Sequence, residues 1–262
     1  MTSIISIDNL DAHYDDRQVL FDVNLQVNPG EIMVIMGGSG SGKSTLLKHL
    51  LALKKPTQGK IQIDGHDIGS ISSKELKELR KKMGVAFQGG ALLSSLTVGD
   101  NVRLPLEHNT NLDTQTIDIM VRLKLELMNL AGFENLMPAE LSGGMLKRAG
   151  LARAVIMDPR ILCFDEPSAG LDPVTSVELD ELILKLREAM NMTMIIVTHE
   201  LESAFKIADR IMVLFDGKVA MVGTPDEIRN SDDKRIQNLI NRKSRDEEVD
   251  GDAYLKRLVT GD

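Results

Sequence analysis

One cysteine occurs in 262 residues, so the chain has no intrachain disulfide, and Cys163, in the middle of an apolar run, reads as a small buried hydrophobe. No run of about eighteen or more apolar residues is present, which argues against a membrane span. The segment Met1 to Asn9 lacks a basic stretch followed by an apolar run and a small-residue cleavage site, and the chain is expected to stay in the cytoplasm. Positive charge is in short supply: the formal net charge is −8 and the pI about 5.2, the wrong sign for a phosphate-backbone binder, so nucleic acid is not an expected partner. Repeats and low-complexity tracts are also missing. What remains is 42% hydrophobic and 27% charged, enough for one large α/β domain or a domain with a subdomain.

The most informative segment is Gly37-Gly38-Ser39-Gly40-Ser41-Gly42-Lys43-Ser44, which matches G-x-x-x-x-G-K-[ST]. An apolar run of strand length, Glu31 to Met36, precedes it, and Thr45 to Leu51 reads as a helix start. In this strand, glycine loop, helix context, successive backbone N–H groups can face phosphate oxygens and the helix N-terminus adds its positive end. The pattern predicts phosphate contacts along Gly38, Ser39, Gly40, Ser41, Gly42, Lys43, Ser44 and Thr45, with the Lys43 ammonium on the β and γ phosphates and the Ser44 hydroxyl on Mg²⁺.

Elsewhere strands and helices alternate. Strands are expected at Ile4 to Ile7, Asn24 to Val27, Lys60 to Ile63, Gly84 to Phe87, Ile161 to Phe164, Met194 to Val197 and Ile211 to Phe215. Helices are expected at Ser73 to Lys82, Asp113 to Leu130, Pro173 to Met190 and Leu201 to Ala208. This gives a nucleotide-binding core of 1–88 plus 158–230, interrupted by a mostly helical insert, 89–157, and followed by an extension, 231–262. Asp165 and Glu166 end a buried strand, where Asp165 can hold Mg²⁺ through its hydration shell and Glu166 can polarise an attacking water.

Taken with Leu141-Ser142-Gly143-Gly144, Gln88 after Phe87, Ser168 to Asp172, and His199 after Val197-Thr198, these segments resemble the ATP-binding subunit of an ATP-binding cassette (ABC) protein over about residues 4–225. The resemblance implies a P-loop NTPase (RecA-like) α/β fold with an antiparallel β subdomain and a helical subdomain. It implies an ATPase acting on MgATP as a head-to-tail dimer, each ATP lying between the phosphate loop of one copy and Ser142, Gly143 and Gly144 of the other. Ser142 is placed to cap the following helix, Met145 to Met157, giving a second anion-binding N-terminus.

Other roles follow from the same resemblance. Tyr14 is similar to the aromatic that stacks on adenine, with an ordinary strand aromatic as the alternative. Gln88 resembles a residue that touches Mg²⁺ and the attacking water while its loop meets a membrane partner, and His199 one that holds the γ phosphate. Asp172 resembles the residue whose loop crosses to the opposite copy, although a helix N-cap before Pro173 explains it as well.

Phe87 to Leu92 and Leu136 to Arg148 are similar to ATPases of Mla-type lipid transport systems, which work with a membrane permease and an MCE-domain lipid-binding protein. This implies a peripheral protein on the cytoplasmic face of the inner membrane. Met145 replaces the usual signature Gln, removing an amide donor or substituting neutrally in packing; Gly38 replaces a frequent Pro. Ala91, Leu92, Leu93, Leu96, Val98 and Leu104 form an apolar cluster that either faces the permease or packs the insert's own core.

In the extension, Ile236, Leu239, Ile240, Leu255 and Leu258 suggest two short helices, Arg235 to Ile240 and Ala253 to Val259. The segment is either a solvated end or a contact to the second copy or to a small regulatory subunit. Soluble ABC proteins of iron-sulfur assembly or cell division are of similar length and stay open as alternatives. DNA-repair types carry long coiled-coil insertions or zinc modules, which this sequence lacks.

Overall fold

The computed structural model describes residues 3–14 and 17–242. In chain order these form β1 (Ile5–Tyr14), β2 (Arg17–Val27), β3 (Ile32–Gly37), α1 (Lys43–Leu50), β4 (Gln58–Ile63), β5 (His66–Asp67), α2 (Ser73–Lys81) and β6 (Met83–Ala86). Next come α3 (Val98–Asn109), α4 (Thr114–Leu127), α5 (Gly143–Val155), β7 (Ile161–Asp165), α6 (Pro173–Met190) and β8 (Thr193–Val197). The chain continues with α7 (Leu201–Ile207), β9 (Arg210–Phe215), β10 (Lys218–Gly223), α8 (Pro225–Arg229) and α9 (Lys234–Ile240).

The strands form two sheets. One has the order β10-β9-β3-β8-β7-β6, parallel except for β10, and the other is antiparallel in the order β2-β1-β4-β5. The central strands β3 and β8 are buried at every position because both of their faces are covered. The alternating side chains of the parallel strands feed separate cores. Ile32, Val34, Met36, Leu162, Phe164, Met194 and Ile196 join the helices α3 to α7, while Met33, Ile35, Ile161, Cys163, Ile195 and Val197 join α1 and the antiparallel sheet. Cys163 is fully buried, and burial pushes its thiol up to about 12, which leaves it an inert core side chain.

Among the described residues, the regular elements between β6 and β7 are all helical. Thr97, Asp113 and Ser142 cap α3, α4 and α5 by accepting from Asp100, Thr116 and Met145. The helix α3 was not legible as such, since Pro105 lies inside it and interrupts the pattern. Of the two readings of the Ala91 to Leu104 cluster, core packing holds for Val98, which is fully buried, and for Leu92, which packs on the core, whereas Leu93 is exposed. The connecting loop is held by buried Asn101, whose Nδ2 donates to the carbonyls of Leu93, Leu96 and Thr97 and whose Oδ1 accepts from Leu93 N–H at 2.7 Å.

The strands β1 and β2 run well beyond the short segments expected, because Asn9 and Asp22 introduce register shifts at left-handed backbone positions that mask the alternation. The Asp216-Gly217 turn then returns the chain as β10, a strand also not anticipated. In the extension, Ile236 is buried and Leu239 and Ile240 pack against the same core. Ile236 is therefore used within its own chain, while Leu239 and Ile240 are only partly buried. Ala253 to Val259, with Leu255 and Leu258, lies outside the described residues.

The layers meet tightly at Gly84, where an added Cβ would stand 2.3 Å from the Ala154 carbonyl oxygen of α5. Gly84→Ala is expected to destabilise the fold by about 2 kcal/mol, seen in thermal unfolding as a Tm lower by roughly 5 °C. An unchanged Tm would contradict this packing.

Candidate functional site

The central strand β3 ends at Gly37, and the loop through Gly42 leads directly into α1. Gly37 admits no side chain, since a Cβ there would lie 2.3 Å from the Leu214 carbonyl oxygen and 2.6 Å from Ser41 Oγ. Gly42 occupies the N-cap with φ of 102° and offers no side-chain acceptor, so the first N–H groups of α1 face the loop. Ser41 Oγ is buried with no hydrogen-bond partner among the described residues, an orphan donor in a cradle suited to an anion. Lys43 Nζ donates to the carbonyls of Gly37 at 2.8 Å and Gly38 at 3.0 Å. Burial lowers the pKa of Lys43, opposed by the charges of Glu166 and Asp165. Ser39, Gly40 and Ser44 are exposed, while Thr45 is buried, its carbonyl oxygen 2.8 Å from His49 Nδ1.

The end of β7 supplies the acids. Burial chiefly, and then Glu166, raises the pKa of Asp165, while Lys43 and Lys48 pull it down. Glu166 has a left-handed backbone, φ of 51°, a conformation costing on the order of 1 kcal/mol for a residue with a side chain. Its N–H donates to the Val197 carbonyl at 2.8 Å, which ties it to the end of β8. There Glu166 Oε2 accepts from His199 N–H at 3.2 Å and lies 2.8 Å from His199 Nδ1. Thus Lys43, Asp165, Glu166 and His199 gather outside the carboxyl ends of the parallel strands, where open α/β sheets place their ligands.

Gln88 follows the edge strand β6 and is exposed. It lines a cavity of about 430 Å³ with Gly89, Gly143, Leu146, Lys147 and the Ala169 to Leu171 turn. Its loop meets α5 backbone to backbone, because a Cβ on Gly150 would stand 2.7 Å from both Cα and O of Gly90, and one on Gly90 would stand 2.6 Å from the Leu146 carbonyl oxygen. Arg153 also donates to Gly90 O at 2.9 Å.

Ser142 and Gly143 are exposed at the start of α5, and Gly143 lines the Gln88 cavity. Gly144 abuts α6, where a Cβ would come within 2.8 Å of Thr175 Cγ2. Asp172 caps α6, accepting from Val174 and Thr175 N–H at 3.1 Å, so the capping reading of that residue holds. Met145 packs its side chain on the core, in line with a packing substitution.

Tyr14 is half-exposed, and Lys54 Nζ stands 3.5 Å from its ring centroid while Lys48 Nζ donates to its hydroxyl at 3.2 Å. The Lys48 hydrogen bond and charge lower the tyrosine pKa. Lys48, Lys54 and Lys147 were missed by sequence reasoning. For Lys147 a signal existed, one helical turn past Gly143; the other two become neighbours of Tyr14 only through the fold.

A family model described as ABC transporter matches residues 20–169. Over 242 residues, 92% of each chain, the sequence is 43% identical to the intermembrane phospholipid transport system ATP-binding protein MlaF of Haemophilus influenzae. It is 38% identical to MlaF of Escherichia coli K12 over 86% of this chain and 84% of that protein. A probable ribonucleotide transport ATP-binding protein, mkl of Mycobacterium leprae, is 40% identical over 90% of this chain and 68% of its own length. Among solved structures, the dimeric post-hydrolysis state of an ATP-binding cassette bound to ADP and Pi has a TM-score of 0.77 at 33% identity, covering 84% of this chain and 98% of that one. The structure of cbiO1 from Clostridium perfringens, part of an ABC transporter complex, has a TM-score of 0.81 at 28% identity, covering 98% and 100%.

Proposed function

The chain belongs to the ABC transporter family and is an ATP-hydrolysing enzyme, and from that premise we propose that it drives phospholipid movement between bacterial membranes. The observation that carries the cargo is the 43% identity to a phospholipid transport ATPase across 92% of both chains. No described helix is long and apolar enough to cross a membrane. In this reading a separate integral permease crosses it, with an MCE-domain protein as the lipid carrier. The chain then sits on the cytoplasmic face of the inner membrane.

In this reading ATP is the substrate, and its phosphates lie in the Gly38 to Thr45 cradle with Lys43 on the β and γ groups. The buried, partnerless Ser41 Oγ and the side-chain-free Gly37 support that fit. Ser44, exposed at the helix start, Asp165, crowded by Glu166, and Gln88 are the oxygen donors that would hold Mg²⁺. Mg²⁺ held there would neutralise charge developing on the phosphates. Glu166 orients and polarises the water, and His199, paired with Glu166, offers a donor toward the γ phosphate. Tyr14 provides the flat face for adenine. Ser142, Gly143 and Gly144 act on the ATP of a second copy.

The permease contact is assigned to a groove of about 640 Å³ between α2, β6, α3 and α5, floored by Val85 and Phe87. Lys77, Arg80, Lys81 and Arg153 line it and no carboxylate does, which suits a segment bearing apolar and acidic side chains.

The test is purification of the intact membrane complex followed by mass spectrometry of its bound small molecules, with ATP-dependent transfer of labelled phospholipid between vesicles as the activity. Bound phospholipid and ATP-dependent transfer are the expected result. Recovery of a ribonucleotide cargo, or of iron-sulfur assembly or cell-division proteins in place of a permease, overturns the proposal.

A further inference from the structure

The Lys147 ammonium makes two short bonds, donating to the carbonyls of Pro167 and Ala169 at 2.6 Å each. Those carbonyls belong to the turn that immediately follows Glu166. Left-handed residues at both ends, Glu166 with φ of 51° and Gly170 with φ of 75°, bracket the turn whose two carbonyls Lys147 gathers. Lys147 itself sits on α5, one turn beyond Gly143, and lines the cavity that also holds Gln88. A second contact ties the same helix to the far end of the segment, where Gly144 meets Thr175 beside the Asp172 cap. The start of α5 therefore grips the chain on both sides of the Ser168 to Asp172 turn.

We propose that Lys147 is a positioning residue for hydrolysis, transmitting engagement of Ser142 to Gly144 by a nucleotide across the dimer seam to Glu166 in the same chain. The inference rests on the shared-seam reading given above. The physical argument concerns stiffness. Charge-assisted bonds to two carbonyls resist displacement more than a neutral contact does; partial burial lowers the Lys147 pKa, and the negative charge of Glu166 opposes that shift. When α5 moves to meet a γ phosphate, the turn moves with it, and Glu166 is the next residue along the chain. A neutral, apolar side chain at 147 leaves both carbonyls without that donor and lets the turn relax independently.

Lys147→Met is expected to lower the saturated ATPase rate about tenfold and to bring the Hill coefficient for ATP toward 1. ATP affinity of the dilute protein should stay within about twofold of the parent, since Lys147 bonds to the Pro167 and Ala169 carbonyls and not to the phosphate loop. Lys147→Arg, which keeps a charged head with several donors, is expected to recover at least about half of the rate. A K147M protein with parental rate and cooperativity overturns the proposal, and so do K147M and K147R proteins that are equally slow. Should K147M not fold, Lys147→Gln compared with K147R decides, equal rates counting against the role. ATP-driven dimerisation of Glu166→Gln on a sizing column separates the two levels. No dimer in that variant refutes the seam itself, whereas a dimer together with an unchanged K147M rate refutes only the part played by Lys147.

Discussion

Glu166→Gln is expected to reduce saturated ATP turnover by at least about 100-fold while leaving ATP binding within about twofold, the signature of a group needed for the chemical step alone. The substitution conserves shape. The bond from residue 166 N–H to the Val197 carbonyl is a backbone bond and survives, so the left-handed conformation has the same support as before. What disappears is the carboxylate that faces His199 Nδ1 at 2.8 Å and takes its backbone N–H, and with it the acceptor that would draw a proton from water. Lys43 also loses one of the two negative charges that favour its ammonium form, yet Asp165 supplies the other, which is why affinity should hold. ATP-bound dimers should accumulate in this variant and be visible by size-exclusion chromatography. Steady-state turnover above about a tenth of the parent rate would remove Glu166 from the role of catalytic carboxylate.

Gly143→Asp probes the other half of the reading and is expected to lower turnover by about 100-fold or more. A Cβ at this position meets nothing within 4 Å among the described residues, so the fold has room for a side chain. Thermal unfolding and ATP binding by the dilute chain should therefore match the parent. In a head-to-tail dimer, however, the new carboxylate would stand where a γ phosphate arrives, and like charges in a site closed to water repel strongly. Gly144 would be a poor choice for the same experiment, because a side chain there collides with Thr175 and confuses a fold defect with a seam defect. A G143D protein that hydrolyses ATP at the parent rate would mean that the exposed start of α5 is idle in catalysis.

Most of the candidate site is written locally, which is why its place in the fold could be read from residues alone. The phosphate loop, the Asp165-Glu166 pair and His199 each sit at the end of a continuous apolar strand, and both neighbours in sequence and neighbours in space agree there. Ser142 and Asp172 announced themselves by the helix-start chemistry that the structure then displays. What stayed hidden was what distance along the chain conceals. Lys54 reaches the Tyr14 ring from forty residues away, and Arg153 finds Gly90 across sixty-three, with no periodicity to reveal either. The helix α3 escaped notice because a proline inside a helix contradicts local preference and is tolerated only where tertiary packing overrides it, here through fully buried Val98 and Val102. The long strands β1 and β2 were shortened on paper by their bulges, since Asn9 and Asp22 break the alternation that marks a strand.

The bare contact between Gly90 and Gly150 bears on how a pull from a membrane partner would travel. Most packed surfaces give a little, because side chains swap rotamers and absorb small displacements before the backbone feels them. Here neither face has a rotamer to trade. A displacement of the loop of Gln88 would reach α5 through backbone alone, as between two shafts running without a bushing, and even a methyl group at either glycine would act as grit in the bearing.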